Sequence, residues 1–194
     1  MRLVQSILLF SILMLATNGY SQTVGTEVQR DVNQETRIER GLQSGQLSTG
    51  EAAKLERGEA RIDRMESNAM KDGNVSTQEA ARIQRAQNQE SRDINRLKNN
   101  DVSGNPNSAS SQRMQADVQR NVNQQSRIEQ GVQSGSLTNR EAANLERGQA
   151  NVDKKEAQAG ADGKVGPREQ KRIQRAENRQ SNKIYREKHN RRTQ

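Results

Sequence analysis

The chain has no cysteine, which excludes a disulfide framework, a thiolate metal site and a thioether lipid anchor. Tryptophan is also absent. Of its three aromatic residues, Phe10 and Tyr20 fall in the first 21 positions, leaving Tyr185 alone beyond them. Apolar residues make up 29% of the sequence, against roughly 45–50% in ordinary globular domains. These shortages argue against a large single apolar core. Histidine occurs once, as His189 in the polar segment Arg186-Glu187-Lys188-His189-Asn190-Arg191. It reads as a helix C-terminal residue favoured by the helix dipole. A Ser-His-Asp or Cys-His arrangement would need partners in a pocket that this composition does not offer. A non-enzymatic protein is expected.

Only one apolar run stands out, Ile7 to Ala16. Arg2 precedes it and the small or polar residues Gly19, Tyr20 and Ser21 close it, which is the pattern of a secretory signal, expected over 1–21. The run falls short of the roughly 20 residues that cross a bilayer. The remainder is expected to be exported, to the periplasm or beyond, and to carry no transmembrane span.

What the sequence does contain is a duplication. Shifted by 90 positions, Val28, Val32, Ile38, Leu42, Leu47, Leu55, Ile62, Ile83 and Ile94 return as Val118, Val122, Ile128, Val132, Leu137, Leu145, Val152, Ile173 and Ile184. Gly41, Gly45 and Asp72-Gly73 return as Gly131, Gly135 and Asp162-Gly163. Two copies of one unit are implied. The stretch between them is rich in Asn, Ser and Gly with Pro106, and reads as a flexible linker.

Helix starts are marked within each copy. Ser48 with Glu51, Ser76 with Glu79 and Thr138 with Glu141 have capping-box spacing, and Gly166-Pro167 puts proline at a first helical position. Helices are therefore expected to begin near 49, 77, 139 and 167. Leu55, Ile62, Met65 and Ala69, then Ala80, Ile83, Ile94 and Leu97, follow helical steps, and Val28 to Leu42 supply an earlier helix. The expected fold class is all-α, with two tandem three-helix units at 22–98 and 113–194 joined by the linker at 99–112. The competing reading is long, polar helices that self-associate, since each apolar stripe is narrow.

Two features suggest ligands. Asp72-Gly73-Asn74-Val75-Ser76-Thr77-Gln78-Glu79 resembles the second half of an EF-hand calcium loop, with Asp72, Asn74, Ser76 and Glu79 as candidate ligands. The first half is missing, because Asn68 and Met70 occupy its leading positions and a thioether does not coordinate a hard cation. A hairpin turn followed by a capping box accounts for the same residues without a metal. The second feature is charge. Residues 22–100 carry 13 basic and 13 acidic side chains, while 101–194 carry 18 and 11. Arg168, Arg172, Arg175, Arg179, Lys183 and Arg186 recur at helical steps and form a basic face on the last helix. Such a face suits an anionic cell-envelope polymer, or simply keeps the surface solvated. Sequence-specific nucleic-acid recognition is not expected, as Tyr185 alone could stack on a base.

Leu47-Ser48-Thr49-Gly50-Glu51 and Leu137-Thr138-Asn139-Arg140-Glu141 resemble the Leu-Thr-x-x-Gln signature of periplasmic stress chaperones of the Spy and CpxP type, with glutamate in place of the glutamine. The Asp-Gly turns and Arg175-Ala176-Glu177-Asn178-Arg179-Gln180-Ser181 resemble uncharacterised small exported bacterial proteins with duplicated, degenerate EF-hand-like hairpins. The first resemblance implies a binder of unfolded proteins; the second implies no activity. The sequence thus leads to an interaction or structural module docking on an anionic polymer, with chaperone-like binding and weak calcium binding as alternatives.

Overall fold

The computed structural model describes residues 17–190, and side chains from Val24 onward. The apolar run of the expected signal lies outside the described residues. Six helices follow one another: α1 Thr17–Ser44, α2 Thr49–Ala69, α3 Thr77–Lys98, α4 Ala109–Gln133, α5 Asn139–Ala159 and α6 Pro167–Lys188. There is no strand among the described residues.

The helix starts sit where the caps place them. Ser48, Ser76 and Thr138 each accept from the amide three residues on, while Glu51, Glu79 and Glu141 reach back to the cap amide. Pro167 opens α6 behind Gly166. In the turn after α2, Gly73 adopts φ +98°, a left-handed conformation that side chains resist.

The helices form one bundle rather than two bundles on a tether. The broadest contacts join the copies, α2 against α5 and α1 against α4. Both pairs run antiparallel, as their apolar residues show. Val24 and Val28 at the start of α1 share a cluster with Ile128 and Val132 at the end of α4, Ala69 and Met70 of α2, and Ala142 and Leu145 of α5. The mirror-image cluster joins Ile38 and Leu42 to Met114 and Val118, with Leu55, Ile94 and Ile173. The duplicated sequence therefore builds a duplicated shape, with an apolar cluster at each end made by both copies. A narrow stripe suffices because each copy contributes half of each cluster. Fully burying one such Leu or Ile contributes about 1.5–3 kcal/mol.

The connection at 99–108 is docked on the bundle. Gly104 N donates to Gly45 O at 2.8 Å, and Asn100 Nδ2 donates to Glu51 Oε1 at 2.6 Å. A Cβ on Gly104 would collide with the Leu47 carbonyl, so glycine is what lets this segment lie flat against the α1–α2 turn.

Candidate metal centre

Between the two apolar ends lies a polar waist. Its acids follow helical steps of three, four or seven: Glu27, Asp31 and Glu35 on α1, Glu56, Glu59, Asp63 and Glu66 on α2, and Glu146, Asp153 and Glu156 on α5. Those steps keep them on one helix face, and the antiparallel pairing turns the faces toward one another. Asp31, Glu35, Glu56, Glu59, Asp63, Glu66, Glu146, Asp153 and Glu156 are each at most 2% exposed. No Lys or Arg among the described residues is buried. The molecule has sorted much of its charge, with most acids inside and the bases outside.

Two groups of carboxylates converge. Asp31, Asp63 and Glu66 form one and Glu35, Glu56 and Asp153 the other, each offering three oxygens within 4.8 Å of one another. The second group draws on both copies. Amides surround them. Gln87 Nε2 donates to Asp31 Oδ1 at 2.9 Å and Glu66 Oε1 at 3.0 Å, and Gln125 Nε2 donates to Glu146 Oε2 at 3.1 Å. Asn121 Nδ2 donates to Glu156 Oε2 at 2.7 Å. Asp31 and Glu66, Asp63 and Asp153, and Glu56 and Glu156 stand close enough to share a proton. Glu59 is different. Neither of its carboxylate oxygens has a hydrogen-bond partner among the described residues. It faces into the waist, where it feels the charges of Glu90, Asp31, Glu56 and Asp153 and acts in turn on Glu35.

Burial is the largest influence on these groups, and mutual repulsion reinforces it for most of them. Desolvation pushes Asp31 and Asp153 up to about 7. Burial, then neighbouring carboxylates, hold Glu35, Glu56, Glu59, Asp63, Glu66, Glu146 and Glu156 well above the usual range. Toward the edges, desolvation raises Glu27 and Asp117 to about 7 and Glu177 to about 8. An ionised carboxylate in such a place costs several kcal/mol unless something positive accompanies it. Here protons or metal cations can do so.

The donor set specifies the kind of cation. All converging ligands are carboxylate oxygens, and three carboxylates can offer six oxygens, the lower end of calcium coordination. The chain has no thiolate, and His189 sits outside the waist, exposed and stacked on Tyr185 with ring centroids 4.2 Å apart. Oxygen-only sites suit hard ions such as calcium, magnesium or manganese rather than copper or zinc.

A surface groove between α2 and α3 reaches the edge of the waist. It is lined by Gly58, Arg61, Arg82, Arg85 and Glu90. Glu90, 9% exposed, lies directly over Gly58, where no Cβ could fit without displacing it. The second copy repeats this contact with Gln180 over Gly148.

The residues singled out from the sequence lie elsewhere. Asp72 Oδ1 accepts from Asn74 N at 2.9 Å, and Glu79 Oε2 accepts from Ser76 N at 3.0 Å and from its hydroxyl at 2.6 Å. Asp72, Ser76 and Glu79 thus complete a turn and a cap, and Asn74 is exposed. Arg168, Arg172, Arg175, Arg179 and Arg186 are exposed along α6, while Lys183 is half-buried and donates to Asn144 O. Arg172, Arg175 and Arg179 share a groove with Lys155.

Sequence reasoning missed the waist because glutamates at helical spacing read as a solvated face. A signal was nevertheless present. Glu56, Asp63 and Glu66 return unchanged as Glu146, Asp153 and Glu156, whereas neighbouring Arg61 and Met65 become Asn151 and Lys155. No protein-family model, curated protein or solved structure matches the chain.

Proposed function

We propose that this protein binds hard multivalent metal cations within its interior, acting as a non-catalytic binding module. The observation that carries the reading is Glu59, fully buried with both carboxylate oxygens unpartnered beside two convergent carboxylate triads. The two sequence repeats serve as interlocking halves, since the triad of Glu35, Glu56 and Asp153 takes a residue from each. An exported chain of this kind would hold or buffer cations outside the cytoplasm. The test is calorimetric titration of the full chain with calcium and with manganese at about pH 8, where carboxyl protons compete least. Saturable binding lost in Glu59→Gln/Asp63→Asn supports the reading; no heat and no bound metal from either ion sinks it.

A second reading keeps the basic face. Of the six residues that form the basic face of α6, all but Lys183 are exposed, and none of the six forms an ion pair among the described residues. With the acids turned inward, the outer surface is more positive than the composition suggests, which favours docking on an anionic envelope polymer. Binding of a polyanion such as heparin should weaken steeply between low and high salt and fall in Arg172→Ala/Arg175→Ala/Arg179→Ala. Binding indifferent to salt would instead favour a chaperone-like contact through apolar surface.

A further inference from the structure

The duplication gives the outer surface two versions of one groove, about 460 Å³ between α2 and α3 and about 500 Å³ between α5 and α6. Met65, Arg82, Arg85 and Gln89 line the first, and their counterparts Lys155, Arg172, Arg175 and Arg179 line the second. The size is kept while the charge changes. With Arg61, Glu90 and Asp93, the first groove holds three basic and two acidic side chains. The matching positions of the second copy hold five basic side chains and no acid, since Gln180 and Lys183 replace Glu90 and Asp93. Asn151 in place of Arg61 is the one exchange there that runs the other way. Glu169 also lines the second groove, but its carboxylate is engaged as the helix cap and accepts from Gly166 N at 2.8 Å.

The rims are wired differently too. In the first copy Gln89 Nε2 donates to Asp93 Oδ2 at 2.9 Å, and Arg96 pairs with Asp93 Oδ1 at 2.8 Å. Arg179 and Lys183 replace that Gln89–Asp93 pair. Lys183 turns to Asn144 O, whereas Arg179 joins Arg172 and Arg175 in having no hydrogen bond or ion pair among the described residues. Steps of three and four put these guanidiniums on one face of α6 over about 10 Å. Lys155 stands on the α5 wall, where its Nζ donates to Asn151 O at 3.0 Å and keeps further N–H donors for a ligand.

We propose that the α5–α6 groove seats one linear, base-free phosphate polymer, and that its α2–α3 counterpart does not. This rests on the polyanion reading of the basic face and places the contact in the groove rather than along the whole helix. Guanidinium forks match phosphate oxygens in pairs, and a lysine ammonium adds a point charge. A nucleic-acid strand would draw on aromatic stacking, and among the described residues no aromatic side chain lines the groove. A lipid surface fits less well, because peripheral helices hold it by inserting apolar side chains. The large exposed hydrophobics among the described residues are Val102 and Tyr185, and neither lines the groove.

Labelled polyphosphate titrated with the full chain at low and high salt tests the groove against the rest of α6. Lys155→Met/Arg179→Gln installs the first copy's residues, while Lys171→Ala/Arg186→Ala removes the same charge from exposed positions outside the groove. Thermal melting checks that both variants stay folded. The groove pair should bind at least about tenfold more weakly and lose about 1.4 from the salt slope, at roughly 0.7 per phosphate contact, whereas the outer pair should stay within about threefold of wild type. Arg179→Gln alone should show about half of that slope change. Equal losses in the two pairs, phosphatidylglycerol vesicles bound as tightly as polyphosphate at equal phosphate, or heparin bound without polyphosphate would overturn the groove inference and leave the polyanion reading standing. Wild type binding neither heparin nor polyphosphate at low salt would overturn that reading as well.

Discussion

The two ends of the bundle and its waist are made by the same six helices and by both copies of the repeat, yet they are stabilised in opposite ways. The ends bury Ile38, Leu55, Ile128 and Leu145 against apolar neighbours, and their contribution does not depend on pH. The waist buries nine carboxyls without one buried Lys or Arg among the described residues, so its contribution is conditional on protons or cations. A chain this poor in apolar residues thus closes a core by making half of it polar. That choice makes folding responsive to the solution around it.

Substitutions at the ends should give the largest loss. Leu55→Ala or Leu145→Ala removes a buried side chain in a packed cluster and should cost about 2–5 kcal/mol. In chemical denaturation that loss should be alike at acid and alkaline pH and with or without calcium; a loss that vanished on chelation would erase the distinction between end and waist. In the waist the sign reverses. Burial holds the Glu59 carboxyl well above its ordinary value, so Glu59→Gln, which removes a buried ionisable group without a hydrogen-bond partner, should stabilise the metal-free protein by roughly 1–3 kcal/mol at alkaline pH, a gain that shrinks as the pH falls.

Smaller effects sharpen the boundary. Gly58→Ala displaces the Glu90 side chain from its seat at the edge of the waist and should lower calcium affinity a few-fold in titration, whereas Gly148→Ala displaces neutral Gln180 and should change affinity less. Smallest of all, Ser76→Ala breaks the α3 capping box and should cost about 1 kcal/mol, read from thermal melting. Its calcium affinity should equal that of wild type, because the Asp72–Glu79 segment is a turn and cap; a loss of affinity there would return the site to that loop.

Much of the fold was legible. The capping pairs at Ser48, Ser76 and Thr138 located three helix starts, and Pro167 a fourth, because a cap is a local device whose residues are neighbours in sequence. The pairing of α1 with α4 and α2 with α5 was not, since an apolar stripe records that a helix has a partner without recording which one. The waist was hidden for a related reason. Glu56, Asp63 and Glu66 are ordinary surface residues by type, and only the meeting of two such faces removes them from water. Their unchanged return as Glu146, Asp153 and Glu156 is the trace they left in the sequence.

The pH dependence follows from the raised carboxyls. A carboxyl whose folded pKa lies above its unfolded value binds its proton more tightly when folded, so it stabilises the fold fully below the unfolded value and loses that contribution as pH rises through the folded one. For Glu27, raised to about 7 from 4.5, the window runs from about pH 4 to about pH 7, and the change is on the order of 3 kcal/mol; the other buried carboxyls of the waist, raised by the same desolvation, act in the same direction. Thermal melting of the chelated full chain at about pH 5 and about pH 8, with and without added calcium or manganese, tests this directly. The metal-free protein should melt about 10–20 °C lower at the higher pH, and a saturating hard cation should restore the difference there with little effect at the lower pH. Equal melting at both pH values, unmoved by either cation, would contradict a charged, cation-holding waist.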